Sequence, residues 1–354
     1  MRNLHKEQPV NPSRAKAGQP LIVCTMLGIA PSWKWFAPIF DQIRWEFYGG
    51  DPRNWLERKI TRPALGSWRS CWESVQFARR RDAALVISHD GRVTSRVAVV
   101  ARIHRLRVPH VAWGFNFTTL PQGPQRRLMA SAFTRVDRFI VYSTLERSLY
   151  AEYFRIDPRR IDVVLWGVGH PLVDSPDTPV EPRDYICTLG GNARDYRTLF
   201  AAMERLPEIP LVAVLRPENT AGLKVPPNVR LHYNIPNGKA NNILAFSRFM
   251  VLPLAGADVP CGHVTMVAAM YLKKAMVITN SLGVSDYVQD GVNGLLVPVG
   301  DADALAQRIR DLWNDPQRAD QLGAAGLAFA RANCSEQQII DHLRRMLQEY
   351  GLPT

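Results

Sequence analysis

Residues 184–215 read DYICTLGGNARDYRTLFAAMERLPEIPLVAVL and contain the clearest secondary-structure pattern in the chain. Two short apolar runs, Asp184–Leu189 and Leu211–Leu215, flank a segment whose large apolar residues recur at helical spacing. These residues are Tyr196, Leu199, Phe200, Met203 and Leu206. Short continuous apolar strands that alternate with helices are typical of a parallel sheet covered on both faces. The stretch therefore predicts a βαβ unit with its helix over Arg194–Leu206.

The same pattern extends to both sides of this unit. Downstream, we expect strands at Val229–Tyr233, Phe249–Leu254 and Ala275–Thr279, and helices from about His263 to Leu272, over Asp301–Trp313 and from Ser335 onward. Upstream, the expected elements are strands at Leu21–Met26, Ala84–Ser88, Val108–Trp113 and Phe139–Ser143, with helices such as Thr94–Leu106 between them. A Pro-rich segment, Gly167–Asp184, separates the two series. The predicted fold class is α/β, with two facing Rossmann-like domains and an inter-domain cleft.

Length and patterning together set the expected domain limits. A chain of 354 residues is typical of roughly two domains. We expect a disordered lead over 1–19, an N-terminal Rossmann-like domain over 20–175, a C-terminal one over 176–334 and a final helix over 335–354. Because ligands of open parallel sheets bind at the carboxyl ends of the strands, we expect the site in the cleft between the domains.

Composition and charge exclude several classes of protein. No run reaches the ~18 apolar residues of a membrane-spanning helix, and the polar N-terminus lacks the apolar core of a signal peptide. The five cysteines are scattered without a CxxC pair, which disfavours disulfides or a zinc site and indicates a reducing cytoplasm. Residues 1–175 carry 27 Lys and Arg against 14 Asp and Glu, whereas residues 176–354 carry 17 against 18. The basic half predicts attraction to an anionic surface or acceptor, and no nucleic-acid-binding motif accompanies it.

A helix start in the second series is a candidate anion site. Gly262 opens a predicted helix whose first N–H groups include those of His263 and Thr265. Such N–H groups point outward, the helix dipole favours negative charge, and Thr265 adds a hydroxyl donor. The alternative interpretation is an ordinary βα turn with a glycine and a small cap residue.

Two arginines follow neighbouring strands of the same series. Arg194 lies at the start of the helix after the turn Gly190–Gly191, and Arg216 comes directly after Leu211–Leu215. Either guanidinium could reach phosphate groups held at this edge of the sheet. The alternative in each case is a solvated arginine next to a helix or loop.

Residues that follow strands of the first series are candidates for sugar recognition and catalysis. An imidazole after a parallel strand would project into the cleft, so His89 is the candidate that orients a sugar hydroxyl or acts as a base. The candidate sugar and acceptor residues are Gly28, Asp90, Trp113 and Asn116. A structural histidine and a core tryptophan are the alternatives for His89 and Trp113.

Two aromatic and basic stretches occur in the basic half. One is residues 33–36, WKWF, and the other is a predicted helix that contains Trp68, Trp72, Phe77 and Arg79–Arg81. Tryptophan suits a membrane–water boundary and arginine suits anionic headgroups. The alternative is that the aromatic rings pack inside the domain and only the arginines are solvated.

Residues 283–301, GVSDYVQDGVNGLLVPVGD, closely resemble the C-terminal signature of the group-1, family 4-like GT-B glycosyltransferases. In that family the run follows the helix that binds the donor. Three further segments are also similar to the family: FIVYSTLERSLYAEYFRIDPRRIDVVLWGV (139–168), CTLGGNARDYRTLFAAM (187–203) and LPLAGADVPCGHVTMVAAMYLKKAMVIT (252–279). The resemblance covers about residues 85–354 and is strongest after residue 180.

The resemblance implies a retaining transferase of the GT-B architecture that is usually metal-independent and binds its donor mainly in the C-terminal domain. On the matching positions, His89 would lie near the transferred sugar and Arg194 beside the donor phosphates. Gly262 and Thr265 would start the phosphate-facing helix.

The chain departs from the family pattern at positions that bind the donor. The family's Glu-x7-Glu pair is absent, because its first Glu falls at Pro260 and its second, which binds the donor ribose, falls at Ala268. The family's Gly-Arg also reads Gly190–Gly191 here. Loss of a carboxylate–diol bond would weaken nucleotide affinity by ~1.5–3 kcal/mol. The residues considered as substitutes are Asp258, His263 and Asp286.

The predicted function is hexosyl transfer with retention, from a nucleotide-sugar donor to a lipid-linked or polysaccharide acceptor in cell-envelope or exopolysaccharide assembly. We expect a cytoplasmic protein, peripheral at the inner face of the membrane, with no cofactor, no metal and no nucleic-acid partner. One alternative is a catalytically silent GT-B protein that acts as a partner or glycan-binding subunit, which the missing Glu pair favours. Another is a sugar-nucleotide epimerase, which the signature at 283–301 disfavours.

Overall fold

The computed structural model describes residues 18–28, 34–60, 64–182, 184–256 and 260–354. The strands of the first sheet are β1 (Leu21–Met26), β2 (Arg44–Gly49), β3 (Leu85–His89), β4 (His110–Trp113), β5 (Arg138–Val141) and β6 (Ile161–Val163). Their order across the sheet is β2-β1-β3-β4-β5-β6. β1 pairs in parallel with β2 and β3, and all its residues are buried. An apolar run such as LIVCTM is typical of a parallel strand covered on both faces.

The second sheet has the strand order β12-β11-β10-β7-β8-β9. Its strands are β7 (Ile186–Leu189), β8 (Leu211–Leu215), β9 (Val229–Tyr233), β10 (Met250–Leu252), β11 (Met276–Thr279) and β12 (Leu295–Val297). The pairings along this sheet are parallel. The predicted α/β class with two Rossmann-like sheets is confirmed.

Helices lie between most consecutive strands. They are α1 (Trp55–Lys59), α2 (Leu65–Arg80), α3 (Gly91–Ile103), α4 (Gly123–Phe133), α5 (Thr144–Phe154), α6 (Tyr196–Glu204), α7 (Asn237–Phe246), α8 (His263–Tyr271), α9 (Ala302–Asn314), α10 (Pro316–Asn333) and α11 (Glu336–Glu349). The apolar residues predicted for the helix after Gly190–Gly191 are all buried, as are Leu305, Ile309 and Leu312 of α9. Among the described residues, no helix is long and apolar enough to cross a bilayer.

The chain divides into two compact units. The first comprises Val93–Val111, Arg344–Thr354 and the described residues up to His89, and the second comprises Asp90–Arg92 and Ala112–Leu343. The core of the first unit contains Val23, Val75, Val86 and Val97, among other residues. The domain limits predicted at residues 19, 175 and 334 remain predictions.

The second unit has a separate apolar cluster on each face of its sheet. Cys187 and Leu189 of β7 belong to the cluster that contains residues of α7 and α8, whereas Ile186 belongs to the cluster with residues of α6 and α9. This division follows from the strand geometry, because successive side chains point to opposite faces. Because both faces of the sheet are buried, polar groups are expected at the ends of its strands.

Candidate functional site

The carboxyl ends of β7, β8 and β9 open onto a cavity of about 390 Å³ in the second unit. Gly190 and Gly191 line it after β7, Arg216 after β8 and Asn234 after β9, and Thr265 of α8 forms part of the opposite wall. Ligands of open parallel sheets bind at this edge, because the helices that follow the strands begin there. The cavity is therefore the candidate binding site.

The guanidinium of Arg194 is partly buried beside this cavity. It donates hydrogen bonds to the backbone oxygens of Leu189 (3.2 Å) and Asn192 (2.8 Å) and to Oγ1 of Thr265 (3.1 Å). Burial lowers the pKa of Arg194 from 12.5. No carboxylate in the described part of the chain pairs with this guanidinium. The site therefore holds a partly buried positive charge whose hydrogen-bond acceptors are all neutral.

Gly190 allows the guanidinium to take this position. Its φ is +103°, a conformation that glycine adopts without strain, and an added Cβ would lie 2.8 Å from Nη2 of Arg194. The glycine that sequence analysis assigned to a tight turn therefore also gives the arginine room.

Gly262 has the same backbone requirement at the start of α8. Its φ is +96° and it caps the helix without a side-chain hydrogen bond. The first backbone bond of the helix runs from Met266 N–H to Gly262 O. The N–H groups of the three residues between them lie before that bond, at the positive end of the helix dipole. Thr265 thus lies in the first turn of α8 and accepts a hydrogen bond from the Arg194 guanidinium.

His263 is packed into the protein rather than exposed at the cavity. Its ring centroid lies 4.9 Å from that of Tyr287 and 6.3 Å from that of Tyr142. Burial lowers the pKa of His263 from 6.5 to about 4, so the ring is neutral at neutral pH. Its Nε2 is buried and accepts or donates no hydrogen bond among the described residues.

Arg216 is more exposed than Arg194. Its side chain is 50% exposed, and its nearest acidic group is Glu218, at 4.0 Å. Its backbone N–H donates to Asn219 Oδ1 at 3.0 Å. Arg216 therefore contributes a solvated positive charge to the cavity wall.

The candidate site residues that follow strands of the first sheet belong to two different units. His89 ends β3, and burial lowers its pKa from 6.5 to about 4, which leaves the ring neutral. In the same unit, an added Cβ at Gly28 would lie 2.9 Å from Oδ1 of Asp51. In the second unit, Asp90 has a φ of +75° and accepts a hydrogen bond from the Arg92 N–H at 2.6 Å.

Trp113 and Asn116 belong to the second unit. The Trp113 ring contacts His342 of α11 edge-on, with centroids 5.8 Å apart. The backbone oxygen of Asn116 accepts a hydrogen bond from Gly91 N–H at 3.3 Å. Their roles in sugar recognition stay predictions.

A buried carboxyl group that the sequence patterns did not single out lies at the start of α5. Glu146 Oε2 accepts hydrogen bonds from Tyr142 N–H (2.8 Å) and from the Ser143 hydroxyl (3.2 Å), while the Glu146 N–H donates to Ser143. Burial raises the pKa of Glu146 from 4.5 to about 7. Ser143 is the N-cap of α5, and the spacing Ser-x-x-Glu was a sequence signal for a helix that begins here.

Asp286 and Tyr287 tie the segment 283–288 to the start of α5. Asp286 accepts hydrogen bonds from the backbone N–H (2.7 Å) and hydroxyl (2.8 Å) of Thr144, which lies 142 residues away. The Tyr287 hydroxyl donates to Tyr142 O at 2.7 Å and accepts from Trp166 N–H at 2.8 Å. Asp286 and His263, considered as substitutes for the missing carboxylate, thus have other contacts. Asp258, the third, lies outside the described residues.

The aromatic and basic stretch on α2 is partly exposed and partly packed. Trp68 and Trp72 are 37% and 43% exposed. Phe77 is half-buried and packs against Tyr48, with ring centroids 5.9 Å apart. Trp33, from the other stretch, lies outside the described residues.

Residues 197–315 match the family described as glycosyl transferases group 1. The chain is also 30% identical over 76 residues to the putative glycosyltransferase EpsD of Bacillus subtilis (strain 168). That alignment covers 20% of this chain and 20% of the length of the curated relative.

The fold resembles several solved structures over nearly the whole chain. Anabaena Alr3699/HepE in complex with UDP-glucose has a TM-score of 0.72 at 15% identity, covering 93% of this chain and 99% of that one. A sucrose-phosphate synthase (tll1590) from Thermosynechococcus elongatus has a TM-score of 0.71 at 15% identity, covering 94% and 98%. A glycosyltransferase from Rickettsia africae ESF-5 has a TM-score of 0.64 at 13% identity, covering 94% and 98%. The chain therefore has the GT-B fold, and its residues 197–315 are similar in sequence to the group-1 glycosyltransferases.

Proposed function

We propose that this protein is a glycosyltransferase that binds a nucleotide-sugar donor in the cavity at the carboxyl ends of β7, β8 and β9. The observation that carries the proposal is the partly buried guanidinium of Arg194, held against Thr265 at the start of α8 with neutral acceptors only. Burial of a charge without a counter-charge costs free energy, and an anionic ligand offsets that cost. The diphosphate of a nucleotide sugar supplies such an anion.

The same groups fit the chemistry of sugar transfer. As the bond from the anomeric carbon to the diphosphate breaks, negative charge accumulates on the departing oxygen. Arg194, the first N–H groups of α8 and the Thr265 hydroxyl would stabilise that charge without rearranging. Because these groups supply positive charge themselves, we propose that the reaction needs no metal ion or other cofactor. The match of residues 197–315 to the group-1 family supports this assignment.

We also propose transfer with retention of the anomeric configuration, as the family resemblance implies. The acceptor would attack from the sugar face that the diphosphate leaves. His89, whose pKa is lowered to about 4 by burial, would hold a sugar hydroxyl as a neutral hydrogen-bonding group. NMR of the product formed from an α-linked donor tests this proposal, since retention gives an α-linkage and inversion a β-linkage.

For the acceptor, we propose a lipid-linked or polysaccharide glycan, with the protein attached peripherally to an anionic membrane. The basic balance of residues 1–175 and one face of α2 support this assignment. Trp68, Trp72 and Arg79 are exposed and recur at helical spacing on that face. Sedimentation with phosphatidylglycerol vesicles should exceed sedimentation with phosphatidylcholine vesicles, and Arg79→Gln with Arg80→Gln should reduce it. Equal sedimentation with both lipids would exclude the electrostatic attachment.

A nucleotide panel tests donor binding. Thermal unfolding is followed with UDP, GDP, ADP, TDP and CMP and with their common sugar conjugates. A ligand at ten times its dissociation constant should stabilise the protein by ~1.4 kcal/mol, which moves the midpoint by a few degrees. Arg194→Ala and Thr265→Val should reduce the shift, whereas Arg197→Ala, an exposed arginine on α6, should keep it. No shift at millimolar ligand would contradict the proposed donor site.

The second candidate function is a catalytically silent subunit that binds a partner or a glycan. It is favoured by Pro260 and Ala268, which stand where the resembling family has glutamates. Release of free sugar from the best-binding nucleotide sugar separates the two functions. Slow hydrolysis of the donor that Arg194→Ala abolishes supports the transferase, and tight donor binding without release or transfer of sugar supports the silent subunit.

A further inference from the structure

The segment 283–288 contacts the beginnings of two helices, α5 and α8. It is made of turns, with backbone hydrogen bonds from the N–H groups of Tyr287 and Val288 to the oxygen of Val284. The side chains of these three residues are buried in the same apolar cluster as Met266 of α8. The segment is therefore packed against the core side of α8.

The start of α8 rests on this segment at two points. A Cβ added to Gly283 would lie 2.6 Å from Cβ of Pro260, and the φ of Gly283 is +81°. Pro260 is buried and comes shortly before His263, the first residue of α8. The ring of His263 packs against that of Tyr287, with centroids 4.9 Å apart. Both the turn into α8 and its first residue thus depend on where the segment 283–288 lies.

A carboxylate attaches the same segment to the first turn of α5. Asp286 accepts hydrogen bonds from the Thr144 N–H at 2.7 Å and from the Thr144 hydroxyl at 2.8 Å. The first N–H groups of a helix have no partner within the helix, and the helix dipole places partial positive charge there. A carboxylate at this end is therefore held by two hydrogen bonds and by the dipole. Asp286 is not one of the described residues that line the cavity.

We propose that Asp286 is a positioning residue for the donor diphosphate. By holding the segment 283–288, it fixes Gly283 against Pro260 and so sets the direction of the first N–H groups of α8. The inference rests on the proposed function, because it assumes that the diphosphate binds at Arg194 and the start of α8. Helix N–H groups bind an anion only when they point at it, so a small displacement of the turn lowers affinity while the fold is kept.

Asp286→Asn and Thr144→Val test this role. Asparagine has nearly the shape of aspartate, but it has no charge and its amide nitrogen accepts no hydrogen bond. The dissociation constant of the best-binding nucleoside diphosphate is measured by isothermal titration calorimetry, at a temperature where every variant is folded. It should rise about 5-fold or more in Asp286→Asn and about 2-fold or more in Thr144→Val, which keeps the backbone bond. Because both residues act through one contact, the double variant should lose less than the product of the two factors.

Asp301→Asn is the matched control. Asp301 caps α9 and accepts a hydrogen bond from the Ala304 N–H at 2.8 Å, as Asp286 does at α5. The buried residues of α9 belong to the apolar cluster on the other face of the sheet. Asp301→Asn should therefore lower the midpoint of urea unfolding while it changes the dissociation constant by less than about 2-fold.

The outcomes separate this inference from the proposed function. Unchanged affinity in both Asp286→Asn and Thr144→Val would overturn the inference alone, because Asp286 would then only cap α5. An equal loss of affinity in Asp301→Asn would also overturn it, since any weakened helix cap would then reduce binding. Failure of every nucleoside diphosphate to bind the unchanged protein at millimolar concentration would overturn the proposed function as well. Thr144→Val keeps the test decisive if Asp286→Asn does not fold.

Discussion

Arg194 has the most unusual environment among the candidate site residues. Its three hydrogen bonds go to neutral oxygens, and two of these belong to the turn that precedes it. A partly buried arginine with a purely structural role would ordinarily be paired with a carboxylate, since removing an unpaired charge from water destabilises the fold. We interpret the environment of Arg194 as that of a ligand-binding residue.

Substitution of this residue separates binding from stability. Arg194→Met should weaken binding of the best nucleoside diphosphate about 10-fold or more, since a charged hydrogen bond is lost. The free energy of unfolding should change by less than about 2 kcal/mol, because the lost neutral hydrogen bonds are offset by removal of a buried charge. Calorimetry and urea unfolding measure the two effects. Unchanged affinity with a large loss of stability would show that Arg194 is structural.

The buried carboxyl group of Glu146 should make the free energy of unfolding depend on pH. Because burial raises its pKa from 4.5 to about 7, the folded protein keeps a proton between these values that the unfolded chain releases. The contribution of Glu146 to the free energy of unfolding therefore falls as the pH rises from about 4.5 to about 7, and is constant above that.

The variant Glu146→Gln does not titrate, and the buried histidines contribute equally to both proteins. The stability of the unchanged protein relative to this variant should therefore fall by about 3 kcal/mol between the two pKa values. Urea unfolding of both proteins across this pH range measures the difference. Parallel pH profiles would contradict the assigned pKa.

At the scale of elements, the start of α8 depends on one glycine. Gly262→Ala should lower the free energy of unfolding by about 1–2 kcal/mol, because a residue with a Cβ is strained at a φ of +96°. It should also weaken nucleoside diphosphate binding, because the new Cβ would lie 3.2 Å from Leu254 and shift the helix start. Gly222→Ala is the matched control, since Gly222 has a φ of +72° and open space around it. Equal affinities in both variants would show that the start of α8 does not bind the ligand.

The buried strands inside the sheets were predictable, whereas two of the edge strands were not. β1 and β8 have the predicted limits, because continuous apolar runs mark strands that are buried on both faces. β9, at one end of the second sheet, also has its predicted limits. β2 and β12 were missed. Both lie at the ends of the strand order, where one side is unpaired, and β2 is only half-buried along its length.

Helix limits differed from the predictions where local hydrogen bonds set them. α3 begins at Gly91 rather than Thr94, and the Asp90 carboxylate accepts a hydrogen bond from Arg92 N–H in its first turn. At α11, the predicted capping box is half present, because Gln338 N–H approaches Ser335 Oγ at 3.4 Å while its side chain donates to Ala332 O. Apolar spacing locates a helix within a few residues, and capping contacts decide where it begins.

At the scale of the whole molecule, Tyr287 connects distant parts of the second unit. Its buried hydroxyl donates to Tyr142 O after β5 and accepts from Trp166 N–H after β6. Tyr287→Phe should lower the free energy of unfolding by about 2–3 kcal/mol, since one buried and one partly buried backbone group lose their partner. Tyr185→Phe, which removes a single bond to Ile243 O, should cost about 1 kcal/mol. Denaturant titration of both variants measures the difference, and equal costs would argue against this tie.

The sequence by itself determined the alternation of strands and helices, the sheet edge where polar residues collect and the group-1 resemblance. These features follow from neighbouring residues, because apolar spacing and turn-forming glycines act over one or two elements. Only the tertiary structure brought Arg194 against Thr265, 71 residues away, and Thr144 against Asp286, 142 residues away. The burial of Glu146 was decided there too. Desolvation and pairing of charges depend on which distant segments exclude water from a group, and no local pattern in a single sequence specifies that exclusion.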